Sequence, residues 1–356
     1  MVDYDYDLGI IGGGAAGLTV ASGAAQLGAK TLLIEKEAAL GGDCLHFGCV
    51  PSKTLIRSAH VYHQIKRARD FGLPAVDLPP VDFSQIAQRI KGVIARIQKH
   101  DSEERFCGLG AKVEFGPTRF IDDHRVDVSG RPVSAKTWVI ATGSSAAIPP
   151  IQGLADADYL TNRDIFSLPR LPGSMVILGA GPIGIEMAQA FNRLGTSVTV
   201  IDRAEQILPK EDRDMADAVQ ARLTAEGVVF YLNAVVEQVA ADGEKKTVSV
   251  TLGNGAAADL KADTLLVAAG RIPNVDDLDL AAAGVHYDRG GIDVDARLRT
   301  RQKHIFAAGD VNGGYLFTHA AGYEGGVVVS NAVFHLPRKV DYTWLPWCTY
   351  TDPELA

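Results

Sequence analysis

The chain has 356 residues, enough for two or three domains, and its hydrophobic content of 47% is that of an ordinary globular protein rather than a disordered one. A net charge of −8 argues against a nucleic-acid groove or an anionic membrane surface as main partner, and four cysteines are too few for a disulfide scaffold. The acidic start runs straight into a strand without a basic and apolar leader, and no apolar run reaches the length of a membrane span, so the expectation is a cytoplasmic protein.

The first element is a short apolar strand, Leu8 to Ile11, followed by Gly12-Gly13-Gly14-Ala15-Ala16-Gly17 and a helical run to Gln26. A second strand covers Thr31 to Ile34 and ends at Glu35, with Lys36 beside it. Strand, GxGxxG, helix, strand and acid form the complete context of a dinucleotide fingerprint. Gly12 makes the tight turn, Gly14 lets backbone N–H groups approach a pyrophosphate, and Gly17 lets helix and strand pack closely. Glu35 would accept bonds from ribose hydroxyls.

Next comes Gly41-Gly42-Asp43-Cys44-Leu45-His46-Phe47-Gly48-Cys49-Val50-Pro51-Ser52-Lys53, with two cysteines five positions apart. Five residues of regular helix climb about 7.5 Å, whereas a disulfide needs α-carbons within about 6.8 Å. If the two bridge, Cys44 must leave a regular helix, and Gly41, Gly42 and Gly48 supply the freedom for it. A pair of unconnected thiols is the alternative. Lys53 would face Cys49 one turn on and favour a thiolate there. The helix is expected to run on through Ile56 and Val61 to about Arg69, then a loop with three prolines from Phe71 to Asp82. An amphipathic helix from Ser84 places Ile86, Ile90, Val93, Ile94 and Ile97 on one face. Val113 to Ile140 alternates like a small antiparallel meander, with a turn at Ser129-Gly130-Arg131-Pro132, and Ala141-Thr142-Gly143-Ser144 closes it.

The stretch from Pro149 to Pro172 is rich in proline and turn residues and marks a boundary. A strand from Met175 to Leu178 then leads into a second fingerprint, Gly179-Ala180-Gly181-Pro182-Ile183-Gly184, a helix carrying Glu186, and a strand from Val198 to Ile201 ended by Asp202 and Arg203. In both fingerprints the acid lies eighteen residues past the third glycine. Two Rossmann units, hence two dinucleotides, follow from that repetition. Val228 to Val267 reads as another meander, ending at Ala268-Ala269-Gly270-Arg271-Ile272-Pro273-Asn274. Ile305-Phe306-Ala307-Ala308-Gly309-Asp310 is a further strand and turn, and Thr318-His319-Ala320 opens a helix. The expected fold is α/β with two Rossmann-like, dinucleotide-binding domains, each with a small antiparallel β-meander. The first domain is discontinuous, over 1–150 and 272–340, with the second at 151–271 and a new domain beginning at 341–356.

The pattern Gly-Gly-x-Cys-x4-Cys-x-Pro-x-Lys resembles the redox-active segment of the class I pyridine nucleotide-disulfide oxidoreductases, among them lipoamide dehydrogenase, glutathione reductase and mercuric reductase. The resemblance implies FAD on the first unit and NAD(P)H on the second. It also implies a Cys44–Cys49 disulfide, with Cys49 next to the flavin, Cys44 as the interchange thiol, and Glu186 paired with Lys53. Electrons would pass from NAD(P)H through flavin to that disulfide, and on to a small-molecule or protein disulfide or a metal ion. Ala141, Thr142 and Gly143 match the family's second flavin motif, Gly270 and Arg271 its exit from the nicotinamide domain, and Gly309 and Asp310 its ribityl-binding turn. Backbone N–H groups at Thr318, His319 and Ala320 would face the flavin pyrimidine, where the helix dipole favours negative charge. A structural role is expected for the His319 side chain.

Some positions depart from the family pattern. Asp43 stands where relatives carry threonine near the flavin pyrophosphate, and a carboxylate there would repel phosphate unless it points away. His46 stands where many have asparagine. Cys107 and Cys348 match no family function and read as packing residues. Trp344 to Ala356 resembles the first strand of the dimer-interface domain, whose acid/base histidine–glutamate pair has no counterpart among the nine histidines here. A homodimeric parent is implied, and the present stretch is expected to keep its fold while losing most dimerisation and disulfide turnover. The rival reading is a non-catalytic flavoprotein, a redox sensor or interaction subunit. The intact set of Cys44, Cys49, Lys53 and Glu186 argues against it. For the second nucleotide NADH is favoured, because Asp202 would meet a 2′-phosphate with like charge, while Arg203, adjacent on the strand end, points to the other side.

Overall fold

The computed structural model describes residues 3–243 and 245–356; Met1 and Val2 at the N-terminus and Glu244 in the second meander lie outside them. The chain divides into two compact units. The first comprises Met1–His46, Ile94–Ser145 and Arg271–Leu345, and the second comprises Phe47–Val93, Ala146–Gly270 and Pro346–Ala356.

In the first unit, strands Ala111–Phe115, Thr31–Glu35, Tyr6–Ile11 and Arg131–Ile140 lie side by side and parallel, and Ile305–Ala307 joins the far side of Arg131–Ile140. Leu32, Leu33 and Ile34 are all buried, as are Trp138, Val139 and Ile140, because helices or loops cover both faces of a parallel sheet. The helices Ala15–Gln26 and Thr318–Ala332 share one face of this core through Val20, Ala21, Ala24, Val327 and Val328.

The expected antiparallel meander is real but shorter than Val113 to Ile140. Val113 belongs to a parallel strand of the main sheet. The antiparallel part is Thr118–Phe120, Arg125–Val128 and the first half of Arg131–Ile140, whose second half turns back into parallel pairing. A ten-residue strand is long enough to serve both ladders, and alternation alone does not tell one partner from the other. The turn is at Ser129-Gly130 as expected, both with positive φ.

The second unit repeats the plan. Val229–Tyr231, Ser197–Ile201, Ser174–Leu178 and Thr264–Val267 form a four-stranded parallel sheet. Ala234–Asp242, Lys245–Leu252 and Ala257–Ala262 form the antiparallel meander, again only the middle of the expected span from Val228 to Val267. Val239, Val248 and Val250 pack beneath it with Val176, Leu178 and Leu265. The helix Pro182–Leu194 packs on the parallel sheet, the helix Cys49–Lys66 packs against that helix, and Phe83 of the helix Phe83–Gln98 stacks on Phe191, with ring centroids 5.5 Å apart. On Phe83–Gln98 the deeply buried residues are Phe83, Ala87 and Ile90, while Ile86, Val93, Ile94 and Ile97 are half-buried.

The segment Pro346–Ala356 is irregular, joined to itself by a Thr349–Leu355 bridge, and belongs to the second unit. Among the described residues no helix is long and apolar enough to cross a membrane.

Candidate active site

The two fingerprints have the same geometry down to single hydrogen bonds. Gly12 (φ +109°) and Gly179 (φ +114°) occupy backbone that only glycine adopts readily, and a Cβ on either would sit 2.3 Å from the carbonyl oxygen of Ala141 or Ala268. A Cβ on Gly17 would lie 1.8 Å from Gly12 O, and one on Gly184 2.0 Å from Gly179 O. Glu35 Oε2 accepts from Gly13 N–H at 2.7 Å and its Oε1 from Glu37 N–H at 2.8 Å. Asp202 does the same in the second unit, accepting from Ala180 N–H at 2.6 Å and Ala204 N–H at 2.8 Å. Each acid therefore ties its strand end to the glycine turn, and each carboxylate oxygen keeps a further lone pair for a ribose hydroxyl. Lys36 and Arg203, the residues after the acids, are exposed. Neither fingerprint helix carries an acid in its first turn, and neither N-cap, Gly14 or Gly181, uses a side chain. Two helix N-termini thus present open N–H groups, the arrangement that fits a pyrophosphate.

In the first unit the cysteine-bearing segment lies against the glycine turn. Gly41 N–H donates to Gly13 O at 2.8 Å, and a Cβ on Gly42 (φ +58°) would come within 2.7 Å of Gly14 Cα. The short helix Gly42–His46 starts there and carries Asp43 and Cys44, and His46 Nε2 bonds the carbonyl of Leu40 at 2.9 Å. Asp43 is not an unpaired carboxylate beside a phosphate site. Its Oδ2 lies 3.1 Å from Arg271 Nη2. Arg271 also donates from Nε to Ser144 Oγ and from Nη2 to Ser144 O, both at 2.7 Å, and stands 3.7 Å from Asp310. Ser144 Oγ donates to Asp310 Oδ2 at 2.5 Å. Burial pushes the Asp310 carboxyl up and the Asp43 charge adds to it, against Ser144 and Arg271, which pull it down. Thr142 and Asn274 close the same corner, with Thr142 Oγ1 donating to Asn274 O at 2.7 Å and Asn274 Nδ2 donating to Thr142 O at 2.8 Å.

The turn carrying Gly309 and Asp310 is held by a residue that no motif singled out. Glu324, fully buried on Thr318–Ala332, accepts from Gly309 N–H at 2.7 Å, Asn312 Nδ2 at 2.8 Å and Tyr342 Oη at 2.5 Å. Burial pushes its carboxyl up. A lone glutamate in mid-helix has no signature; only the polar residue on an otherwise small and apolar face hints at it. At the start of that helix the Phe317 and His319 rings stack, 5.4 Å apart. Gly309 lies against Ala16 and Ala321, so both helix starts and the Asp310 turn converge. Glycine turn, open helix ends and a ribityl-type acid on one sheet edge fit FAD.

In the second unit the helix Cys49–Lys66 begins at Cys49 itself, after the break at Phe47-Gly48 that separates it from Gly42–His46. Cys44 and Cys49 therefore lie on two different helices. Cys44 is half-buried and Cys49 is exposed. Lys53 lies one turn beyond Cys49, and its Nζ donates to Glu186 Oε2 at 2.7 Å, with 34% of the Lys53 side chain exposed and 5% of Glu186. Cys348 is half-buried, and burial with the charges of Glu354 and Glu186 pushes its thiol up against the opposing pull of Lys53. Cys107 is exposed on Glu103–Gly108 rather than packed as expected.

Among the described residues, Asp123, His124 and His304 bring metal-ligand atoms within 4.8 Å of one another. The two rings stack at 4.1 Å and 14°, and each sends one ring nitrogen to a backbone carbonyl. Lone pairs in near-parallel planes do not converge, so an ion there would need one ring to turn.

Comparison with known proteins agrees with this geometry. The family model for pyridine nucleotide-disulphide oxidoreductases matches residues 6–325. The chain is 36% identical to a mercuric reductase of Bacillus cereus over 99% of its own length and 56% of that protein. It is 37% identical to a dihydrolipoyl dehydrogenase of Bacillus subtilis (strain 168), covering 98% of this chain and 76% of that one. It thus spans less than two thirds of the mercuric reductases it matches, 56% and 64% of those of Bacillus cereus and Lysinibacillus sphaericus. Among solved structures, the Cu(II) complex of the HOCl-induced flavoprotein disulfide reductase RclA from Escherichia coli superposes with a TM-score of 0.87 at 30% identity, over 99% of this chain and 76% of that one. The chain belongs to the pyridine nucleotide-disulphide oxidoreductase family, whose cofactors are FAD and NAD(P)H.

Proposed function

We propose that the protein relays two electrons from NADH through FAD to a Cys44–Cys49 disulfide and on to a disulfide or soft metal-ion substrate. The observation that carries this reading is the duplicated fingerprint, with Cys44 set beside the first glycine turn and Cys49 at a helix start one turn from the Lys53–Glu186 pair. The flavin supplies a hydride acceptor that can pass an electron pair to sulfur. The chain's own residues do the rest. Residues 1–150 and 272–340 hold FAD, 151–271 hold the nicotinamide nucleotide, and 341–356 begin the interface domain of a homodimeric parent working in the cytoplasm. Asp310, kept in place by Ser144, Arg271 and the Glu324 network, takes the ribityl hydroxyls, and Ala141, Thr142 and Gly143 line the same edge.

Cys49 is the thiol whose ionised form the helix start and Lys53 favour. It sits at the first position of an 18-residue helix, where the dipole favours negative charge, and Lys53 adds a positive charge on the same face. Cys44, on the other short helix, is the thiol that meets the substrate. Overall, NADH, a proton and a disulfide give NAD⁺ and two thiols. The kinds of acceptor follow the relatives, a dihydrolipoyl dehydrogenase and mercuric reductases. The test is a thiol count on the FAD-loaded protein before and after one equivalent of NADH under anaerobic conditions. Two new thiols at Cys44 and Cys49 support the relay; flavin reduction with no new thiol excludes it and leaves a flavoprotein without a working disulfide.

A further inference from the structure

Glu186, Gln189 and Arg193 lie on one face of the helix Pro182–Leu194, spaced three and four residues apart. Each binds the segment that follows Pro346. Glu186 Oε1 accepts from Tyr350 N–H at 2.9 Å. Gln189 accepts from Asp352 N–H at 2.8 Å and donates to Asp352 O at 3.0 Å. Arg193 Nη2 donates to Asp352 Oδ2 at 2.9 Å. The N–H groups of Tyr350 and Asp352 thus both turn to the same face of the helix. This clamp fixes where the Tyr350 side chain goes: Lys53 Nζ lies over its ring, 4.7 Å from the centroid. The same ammonium is bound by Glu186 Oε2. One residue therefore holds both members of the pair, the carboxylate through its main-chain N–H and the ammonium through its ring face.

We propose that Tyr350 is a positioning residue for Lys53, holding the ammonium on the Cys49 face of the helix so that its charge favours the Cys49 thiolate. The inference rests on the relay reading above. A ring face attracts a cation through its quadrupole, and at a partly exposed site that attraction is small but directional. It matters here because 34% of the Lys53 side chain is exposed, so the stem would otherwise swing into water. The phenolic hydroxyl has no part in this, which separates the idea from general packing or proton transfer by tyrosine.

The experiment measures the pH midpoint of Cys49 ionisation in the dithiothreitol-reduced, FAD-loaded protein, from iodoacetamide labelling rates at the Cys49 peptide. Tyr350→Phe is expected to keep the wild-type midpoint. Tyr350→Leu is expected to raise it by about half a pH unit, the order of the ammonium–ring attraction. Pentafluorophenylalanine at position 350 keeps the shape of a ring and inverts the potential of its face, so it should raise the midpoint as the leucine does. That variant serves even where the leucine protein fails to fold. An unchanged midpoint with the fluorinated ring, or an equal rise in Tyr350→Phe, overturns the proposal. Lys53→Met separates the two levels. If it leaves the midpoint unmoved, the site reading itself fails; if it raises the midpoint while the fluorinated ring does not, only the role of Tyr350 fails.

Discussion

At the residue scale, charges here are balanced by partners far away in sequence, which decides what a motif alone can say. Asp43 reads as a liability beside a phosphate because the residue that neutralises it, Arg271, is more than two hundred positions away. The pairing also connects Asp43 to Asp310 through one guanidinium. Arg271→Met should therefore leave two carboxylates facing one another and weaken FAD retention by at least tenfold, while Asp43→Asn should have a smaller effect. Flavin fluorescence released on dilution measures both, and an Arg271→Met protein that keeps its flavin like wild type would contradict the account. Asp202 is the second case. Both its oxygens already hold backbone N–H groups, so alanine would unravel the turn as well as change the charge. Asp202→Asn keeps a carbonyl acceptor and removes the repulsion of a 2′-phosphate. At an effective dielectric near 20, unit charges about 4 Å apart interact by roughly 4 kcal/mol before screening, and even a third of that is about tenfold in affinity. The kcat/KM ratio for NADH over NADPH should fall by about tenfold; an unchanged ratio would show that Asp202 does not set the choice. Both fingerprint acids were legible in the sequence, as were the Lys53–Glu186 partners through the family pattern. Glu324 was not, because its three partners come from two loops that no spacing rule connects.

At the scale of elements, the fingerprints were legible because glycine spacing and the strand-ending acid are local facts. The meanders were overextended because alternation reports a half-buried strand and not which neighbour it pairs with. Lengths of three to ten residues left room for Arg131–Ile140 to serve a parallel and an antiparallel ladder. The matched glycines allow a clean separation. Gly184→Ala puts a Cβ 2.0 Å from Gly179 O and should abolish flavin reduction by NADH while the oxidised flavin spectrum stays normal; loss of flavin in that variant would overturn the assignment of the two units. The helix Pro182–Leu194 also anchors a buried charge cluster. The Arg193 side chain is 3% exposed and pairs with Glu226 at 2.6 Å and Asp352 at 2.9 Å, and Arg222 joins Glu226 at 2.7 Å. Removing one member of a buried pair strands the other, so Arg193→Leu should cost about 3–5 kcal/mol in denaturant unfolding. His63 lies beside this cluster, 3.8 Å from Glu226, and burial together with the Arg193 charge holds its imidazole below the ordinary 6.5. The unfolded chain therefore takes up that proton first as pH falls. Stability contributed by neutral His63 is full above 6.5 and declines below it. Glu226 is buried, yet its hydrogen bonds and charge pairing with Arg193 hold it below the ordinary 4.5, so its contribution is lost at still lower pH, through its depressed folded value. Melting temperatures of His63→Phe should fall less between pH 7 and 5.5 than those of wild type; parallel slopes would remove His63 from the explanation.

At the scale of the whole molecule, repetition of the fingerprint was enough to foresee two nucleotide sites, and each unit has its own sheet, meander and apolar core. What the sequence did not reveal is how often the chain passes between units, with divisions near residues 46, 93, 145, 270 and 345. Those crossings depend on packing, such as Phe83 on Phe191 and the 350–352 segment on Glu186, Gln189 and Arg193, and packing partners leave no mark in composition or period. The account's central claim is that electrons reach the cysteine pair. It is tested most directly by anaerobic titration of the FAD-loaded protein with NADH, recording absorbance beyond the red edge of the flavin band. The relay predicts a new long-wavelength band at two-electron reduction, from a Cys49 thiolate against oxidised flavin, which is absent in Cys49→Ser. Simple bleaching of the flavin in the wild type, with the same course in Cys49→Ser, would contradict it.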